Sequence, residues 1–442
     1  MFKINILKKK QFIQCLPAVF MVIVICSYTR AQTNEYVKVK DHQFIINHKP
    51  VYYIGTNYWY GGFLGLQKEN PKGIDRLRAE LDFLKDKGIT NLRVLAGPEG
   101  EGLVSGVNRV GPPLQMAKGI FDKDFLKGFD ILLSEMGKRN MKAVIFLSNN
   151  WEWSGGFLQY LRWNNQMTDS VFRRKLDWDE TRDYVSKFYS CGSCKADYLN
   201  QVAYIVNHIN TITNKKYSDD PAIMSWEIAN EPRPMRPAAI DNYKQWIASV
   251  ATFIKSIDKN HLITIGTEGY IGTENMGIYE AIHADKNIDY LTIHIWPKNW
   301  EWFKGTDIPG GLDSVLNKTM NYISVHLDVA NKLNKPLVIE EFGLPRDGHS
   351  FELSSTTNYR DKYYQSIFSQ LQKSKEKSDA LGGANFWSYG GIVTPTHTRW
   401  QKGDEYIGDP PMEEQGLNAV FNGDKSTWEL INIFAEKLKI KN

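Results

Sequence analysis

The chain has 442 residues, of which 42% are hydrophobic and 13% aromatic, which is sufficient for a large folded core. Its formal net charge of +4 originates in residues 1–31, which contain five basic residues and no acidic one, so that 49 basic and 50 acidic residues follow them. A segment this close to neutrality has no charge excess for nucleic acid or an anionic membrane surface, and neither partner is expected.

The first 31 residues have the order of a secretory signal peptide. Four lysines precede an apolar stretch from about Phe12 to Ile25, and Ala31 offers a small residue for cleavage. No later stretch of the sequence is long and apolar enough to span a bilayer. We therefore predict export to the periplasm or the medium. An uncleaved anchor is the alternative; lipidation at Cys26 is disfavoured by the bulky Ile25 before it.

Residues 32–442 are predicted to form one domain, because they contain no internal repeat, Pro/Thr-rich linker or low-complexity tract. Two short strands joined at Asp41 and His42 predict an amino-terminal hairpin. Beyond it, eight apolar runs alternate with segments of mostly helical spacing. These runs are Val51–Thr56, Ile89–Leu95, Lys142–Leu147, Ile223–Ala229, Leu262–Gly266, Ile288–Trp296, Pro336–Gly343 and Gly383–Tyr389.

Continuous apolar runs are typical of parallel strands that are buried on both faces. Eight of them with intervening helices predict a closed (β/α)8 barrel (TIM barrel) with long loops after its strands. The alternative is a doubly wound open sheet, but the first strand is not followed by a glycine-rich phosphate turn.

Residues 32–442 contain one pair of cysteines, Cys191 and Cys194, in an insertion rich in Trp and Tyr. In a cytosolic redox protein, such a CxxC would follow a strand and open a helix. Here it follows Phe188–Ser190 in what looks like an irregular segment, which favours a local disulfide of an exported protein. A metal half-site is the alternative, although no second CxxC or His-rich spacing completes a zinc site.

Polar residues end most of the apolar runs, where a barrel places its active site. They are Asn57, Arg93, Asn149, Asn150, Asn230, Glu231, Glu268, His294, Glu340, Glu341 and Trp387. Several acids with one arginine, one histidine and no metal-binding set suit carboxylate chemistry better than hydride or phosphoryl transfer. No metal or other cofactor is therefore expected.

Two pairs of glutamates require a choice. Glu227 lies within its apolar run and must be paired to be tolerated there. Glu231 ends the run, and Pro232 keeps it out of the helical region, so Glu231 is the chemical candidate. Glu340 and Glu341 are neighbours on one strand and should point to opposite faces. Spacing does not decide which of them faces the mouth, and ion pairing of both is the alternative.

The ordered motifs of the sequence resemble those of glycoside hydrolase family 5, specifically its mannanase subfamily, subfamily seven. The resemblance runs from about Val37 to Lys439 and rests on "NLRV", "WEIANEPR", "TEG", "HIWPKNW", "IEEFG", "NFWSYGG" and "DPPMEEQGLNAVFNGDKST". "NEP" alone is shared by many glycosidases, but the ordered set with Arg233 is specific.

The resemblance implies a retaining endo-β-1,4-mannanase on a (β/α)8 barrel. Glu231 matches the general acid/base and Glu341 the nucleophile of the family, while Asn230 matches the residue that holds the sugar 2-hydroxyl. Arg93 and His294 match polar partners of the nucleophile.

The resemblance also extends to sugar-binding positions. Trp387 matches the aromatic floor at the cleavage point, Arg233 a residue of the sugar sites beyond the cut, and Asn150 with Trp151 a subfamily pattern. One departure is Trp296, where much of the family has a tyrosine that donates to the nucleophile. An indole N–H can donate as well, so Trp296 remains a predicted site residue.

Further residues at strand ends allow two interpretations. Glu268 could contact substrate or form an ion pair. Tryptophans in or just after strand ends could stack on sugar rings or only pack loops; these are Trp59, Trp151, Trp296, Trp300, Trp302 and Trp387.

The resulting hypothesis is a monomeric, exported endo-β-mannanase that acts on mannan, glucomannan or galactomannan through two carboxyls about 5 Å apart. A β-1,4-glucanase or an exo-mannosidase on the same scaffold are alternatives. A noncatalytic glycan-binding protein is another, against which the presence of both Glu231 and Glu341 argues.

Overall fold

The computed structural model describes Met1, residues 36–68 and residues 70–439. Apart from Met1, the predicted signal segment 1–31 lies outside these residues. Among the helices described, none combines the length and the hydropathy needed to cross a membrane.

Eight parallel strands form the central sheet. They are β1 (Tyr53–Asn57), β2 (Asn91–Leu95), β3 (Lys142–Phe146), β4 (Ile223–Glu227), β5 (Leu262–Thr264), β6 (Leu291–Ile295), β7 (Leu337–Phe342) and β8 (Leu381–Phe386). Consecutive strands pair from β1 to β5 and from β6 to β8, and β8 pairs with β1. Between β5 and β6 the Asp289 N–H donates to the Ile263 carbonyl at 2.8 Å. The sheet is thus nearly closed, and the predicted (β/α)8 barrel is confirmed.

Helices flank this sheet and fill the long insertion after β3. They are α1 (Gly61–Leu64), α2 (Gly73–Asp86), α3 (Lys123–Lys138), α4 (Gly156–Trp163), α5 (Asp169–Arg173), α6 (Trp178–Lys187), α7 (Gly192–Val206), α8 (Ile240–Ile257), α9 (Met276–His283), α10 (Ile308–Leu333), α11 (Asn358–Lys377) and α12 (Lys425–Leu438). In α8, Tyr243, Ile247, Val250 and Ile254 are buried at helical spacing, which turns one face of the helix toward the barrel.

The amino-terminal hairpin is present and is extended by a third strand. Lys38–Lys40 pairs with Gln43–Ile46, and Gln43–Ile46 pairs with Lys49–Val51. Asn47 and His48 both have a left-handed backbone, as a tight hairpin turn requires. The run predicted as one strand from Val51 is therefore divided between this sheet and β1.

A local irregularity in β7 determines the direction of two glutamates. Ile339 pairs with Ile293 and Glu341 with His294, so that Glu340 is an extra residue on its strand. Such a bulge re-aims the side chains that follow it. Glu340 and Glu341 consequently both approach Arg93, with oxygens 3.9 and 2.5 Å from its guanidinium. The expectation that they point to opposite faces, which assumed regular strand geometry, was wrong.

The two cysteines form a disulfide with Cα atoms 5.3 Å apart, in agreement with the favoured interpretation of the sequence. The surrounding segment is more regular than expected. Cys191 caps the amino terminus of α7, directly after a short 3-10 turn at Phe188–Ser190. The CxxC therefore does open a helix, although no strand precedes it.

Candidate active site

Arg93 on β2 is the centre of a buried polar network at the barrel mouth. It has no exposed surface. Its guanidinium donates to both carboxylate oxygens of Glu227, at 2.7 and 2.6 Å, and to Asn57 Oδ1 at 3.0 Å. It also donates to Asn230 Oδ1 at 2.7 Å and to Glu341 Oε1 at 2.5 Å. Glu227 is thus the buried, paired residue that its apolar surroundings predicted, and Arg93 is its partner.

Glu231 follows β4 and is held in an uncommon backbone conformation. Its φ is +50°, in the left-handed region that residues other than glycine seldom occupy, and its N–H donates to the Gly266 carbonyl at 2.9 Å. Pro232 does keep Glu231 out of the right-handed helical region, but the result is a left-handed residue rather than an extended one. Backbone strain of this kind is concentrated at functional sites.

The Glu231 carboxyl is bound by two side chains. The Trp151 indole N–H donates to Oε2, and His294 Nδ1 lies 2.7 Å from Oε1. The Glu341 carboxyl has a different environment, with Arg93 on Oε1 and the Trp296 indole N–H donating to Oε2 at 3.1 Å. Trp296 therefore makes the contact with Glu341 that its position suggested.

Glu231 and Glu341 lie very close together. With His294 they contribute one ligand atom each to a cluster in which these atoms are all within 4.8 Å of one another. His294 Nδ1 connects the two carboxyls, because it is also 3.3 Å from Glu341 Oε2. An approach this close of one oxygen from each carboxyl is compatible with the roughly 5 Å between the two carboxyl groups of retaining glycosidases.

The same three side chains are the ones that could hold a metal ion among the described residues. Their carboxylate oxygens already accept N–H groups from Trp151, Trp296 and Arg93. A cation would have to displace these donors and lie beside a guanidinium. The donor set therefore fits a shared proton and a sugar better than a metal.

Burial governs the protonation of this cluster. It raises the pKa of Glu231, against the opposing effects of Arg233 and the Trp151 N–H. It also raises the pKa of Glu341, which Arg93 lowers and the charges of Glu231 and Glu227 raise further. Two carboxyls this close titrate as a pair rather than as independent groups. Burial lowers the pKa of His294 to about 4, so its imidazole is neutral at neutral pH.

Asn230 and its neighbours form a connected set of amide hydrogen bonds beside the two carboxyls. Asn230 Nδ2 donates to Asn149 Oδ1 at 3.1 Å, and Asn149 Oδ1 also accepts the Trp151 N–H at 3.0 Å. The Asn150 N–H donates to the Asn230 carbonyl at 2.9 Å. The side-chain amide of Asn150 is buried and has no hydrogen-bond partner among the described residues.

Arg233 and Glu268 lie beside Glu231. Arg233 donates to both carboxylate oxygens of Glu268, at 2.5 and 2.6 Å, and Glu268 is almost fully buried. Of the two interpretations of Glu268, the ion pair is the one observed. The pair fixes the Arg233 guanidinium over the Trp151 ring, 5.2 Å from its centroid.

Trp387 borders the site on the side of Glu341. It is edge-on to Trp296, and its indole N–H donates to Glu413 Oε2 at 3.3 Å. Burial, with a contribution from Asp409, raises the pKa of Glu413 to about 8. Sequence reasoning did not select Glu413, because it belongs to an irregular loop after β8 rather than to a strand end.

Of the tryptophans considered as stacking surfaces, Trp59 is a packing residue, whereas Trp300 and Trp302 are partly exposed. Trp59 has no exposed surface, and its indole N–H donates to the Gly408 carbonyl at 2.7 Å. Its ring packs against Phe63, Trp153 and Tyr406, so the prediction of substrate contact is corrected for this residue. Trp300 and Trp302 pack against each other and against Tyr322.

Two adjacent carboxyls in a barrel mouth that also presents indole rings are an arrangement used by glycoside hydrolases. The family model described as GH family 5 beta-mannosidase-like matches residues 34–442. The chain therefore belongs to the β-mannosidase-like group of glycoside hydrolase family 5.

Individual relatives agree with this assignment. Mannan endo-1,4-beta-mannosidase 4 of Solanum lycopersicum is 32% identical over 286 residues, which are 62% of this chain and 66% of the relative. Mannan endo-1,4-beta-mannosidase 1 of Arabidopsis thaliana is 30% identical over 361 residues, 78% and 79% of the two chains. The glycoside hydrolase family 5 mannosidase from Rhizomucor miehei has a TM-score of 0.81 at 30% identity, over 91% of this chain and 97% of that one.

Proposed function

We propose that this protein hydrolyses β-1,4-mannosidic bonds with retention of configuration, with Glu341 as nucleophile and Glu231 as general acid/base. The observation that carries the proposal is the asymmetric environment of two adjacent carboxyls. Arg93 donates directly to Glu341, whereas the carboxyl of Glu231 is bound by the neutral groups of Trp151 and His294. The negative charge of the singly protonated pair is therefore best held on Glu341, and the proton on Glu231.

The reaction follows from this arrangement. The Glu341 carboxylate attacks the anomeric carbon while Glu231 gives its proton to the departing glycosidic oxygen, which breaks the glycosidic bond and forms a glycosyl ester. Esterification removes the charge of Glu341, so the pKa of Glu231 falls and its carboxylate can accept a proton from water. That water attacks the anomeric carbon, Glu341 leaves as carboxylate, and Glu231 is protonated again.

Arg93 and Trp296 stabilise the carboxylate of Glu341 in both its free and its departing state, since both donate to it. Asn230 is fixed by Arg93 and Asn149 and is available to the sugar 2-hydroxyl. Trp387 provides an apolar face beside Glu341. These residues position the sugar and the nucleophile without taking part in proton transfer.

The substrate class is proposed to be β-mannan. The curated relatives are named mannan endo-1,4-beta-mannosidases, and a complex of the R. miehei mannosidase contains mannosyl-fructose. We propose that the enzyme cleaves the polymer internally and acts as a monomer. We also propose that residues 1–31 are a signal peptide that directs its export.

Exo-cleavage is the second candidate, and one observation favours it. The loop after β8 contacts the loop after β2 and helix α2: Tyr406 exchanges hydrogen bonds with the backbone of Gly111, and Glu405 pairs with Arg76 at 2.8 Å. A loop held in this way would shorten the cleft in the direction of Trp387 and Glu341.

The test is hydrolysis of mannohexaose and of polymeric mannan, followed by proton NMR of the nascent anomer. Retention predicts that the β-anomer forms first. Internal cleavage predicts a mixture of oligosaccharides and a rapid loss of viscosity, whereas exo-cleavage of mannohexaose gives only mannose and mannopentaose at the start. Cellohexaose serves as the control for a glucanase. A nascent α-anomer, or no cleavage of any β-mannoside, would contradict the proposal.

A further inference from the structure

A second aromatic ring extends outward from the acid/base side of the site. Trp151, whose N–H donates to Glu231, lies beside Trp178, with ring centroids 6.3 Å apart and planes inclined by only 29°. The Arg233 guanidinium lies 5.2 Å from the centroid of Trp151 and 5.9 Å from that of Trp178. Trp151, Trp178 and Arg233 together are called the outer tryptophan surface below.

Trp178 differs from most tryptophans of the barrel in its exposure. Half of it (50%) is accessible to solvent, whereas Trp59, Trp226 and Trp246 are buried. Trp151 and Arg233 cover one part of the Trp178 ring, and the other part is exposed to solvent. An exposed ring continuous with an active site is a surface on which a flat apolar face of a ligand can be buried.

The position of Trp178 is fixed by the start of α6. Asp177 and Glu180 form a reciprocal capping box around it, and Arg174 donates to both oxygens of Glu180. Arg236, in the loop after β4, pairs with Asp179 and Asp183 on the same helix. The ring is thus held against the β4 loop before any ligand arrives, which lowers the entropic cost of binding.

The proposed chemistry determines which sugar would meet this surface. Glu231 must lie beside the departing glycosidic oxygen, so Trp151 borders the first sugar on the leaving-group side. The next ring outward is Trp178. We propose that Trp178 binds the second sugar on the leaving-group side and thereby selects substrates with at least two sugars beyond the bond that is cut. The inference rests on the proposed function, because it uses Glu231 as the acid.

The experiment compares kcat/KM for mannohexaose with kcat/KM for an aryl β-mannoside, whose leaving group contains no sugar. Trp178→Ala is expected to lower the ratio of these two values about tenfold, the effect of losing one stacked ring face. Trp178→Tyr should restore most of the ratio because it keeps an aromatic face. Ile433→Ala, which truncates a half-exposed side chain on α12, is the matched control and should leave the ratio as in the wild type.

Cleavage positions give an independent measurement. In mannopentaose cut in 18O-labelled water, loss of the second leaving-side sugar site should move the cut toward the reducing end. An unchanged ratio in Trp178→Ala, or an equal fall for both substrates, would overturn the inference and leave Trp178 as a packing residue. If the wild type cleaves neither substrate, the proposed function itself fails, which is a distinct result.

Discussion

Glu227 and Glu341 share one cation, and this leads to a quantitative prediction for Glu227→Gln. Arg93 donates to Glu227 through Nε and Nη2 and to Glu341 through Nη1. The charge of Glu227 raises the pKa of Glu341, whereas that of Arg93 lowers it. Replacing Glu227 by its neutral isostere removes the repulsion, and Glu341 is then the one described carboxylate at hydrogen-bonding distance of Arg93. We therefore expect the pKa of Glu341 to fall.

The size of the effect follows from the shared guanidinium. Carboxylates bound to different sides of one guanidinium are roughly 6 Å apart, which at an effective dielectric constant of about 20 corresponds to about 3 kcal/mol, or about two pH units. Relaxation of Arg93 reduces this value, so we expect a shift of about 1 to 2 pH units. Because Glu341 must be ionised to attack, Glu227→Gln should remain active at a lower pH than the wild type.

The assay is the pH dependence of kcat/KM, whose acidic limb reports ionisation of the free enzyme. In Glu227→Gln the acidic limb should move to lower pH. Glu268→Gln is the matched control, because Glu268 is also a buried partner of an arginine but acts on Glu231. Removing the charge of Glu268 should lower the pKa of Glu231 and move the alkaline limb, instead of the acidic one, to lower pH. An acidic limb that stays in place or moves up in Glu227→Gln would refute the reasoning.

Two further predictions concern stability. Trp59→Phe removes the hydrogen bond to the Gly408 carbonyl and should lower the free energy of unfolding by about 1 to 2 kcal/mol in a urea titration. Its kcat/KM for an aryl β-mannoside should stay close to that of the wild type. A large loss of activity at unchanged stability would instead mean that Trp59 contacts the substrate. Replacing Cys191 and Cys194 together by alanine opens a loop of four residues and should cost about 2 kcal/mol in the same measurement. A cost near zero would mean that the disulfide does not constrain the unfolded chain.

Much of the barrel could be predicted because parallel strands that are buried on both faces have continuous apolar sequences. The same reasoning located Arg93, Glu231, His294 and Glu341, since residues that end such runs converge at one end of the sheet. Burial of a carboxylate in an apolar run also predicted that Glu227 has a partner. The same argument did not identify Arg93 as that partner, because the two residues are 134 positions apart and sequence spacing does not reveal a contact over that distance.

Other features depend on geometry that a single sequence does not encode. The bulge at Glu340 follows from the pairing of β7 with β6, and nothing in "VIEEFG" indicates it. Trp59 and Trp151 have similar positions after strands, yet one packs under the β8 loop and the other contacts Glu231. Trp178 begins helix α6 in the long insertion after β3, and Glu413 belongs to an irregular loop after β8, so neither position is one of the strand ends that the sequence reasoning searched.

The proposed double displacement requires that Glu341, and no other side chain, becomes covalently attached to the sugar. The most direct measurement is incubation with 2-deoxy-2-fluoro-β-mannosyl fluoride, which slows hydrolysis of the glycosyl ester, followed by mass spectrometry of the intact protein and of its peptides. One fluoromannosyl group per chain, located on Glu341, is the predicted result. A label on Glu231 or Glu340, or turnover of mannan by an enzyme that never acquires the label, would contradict it.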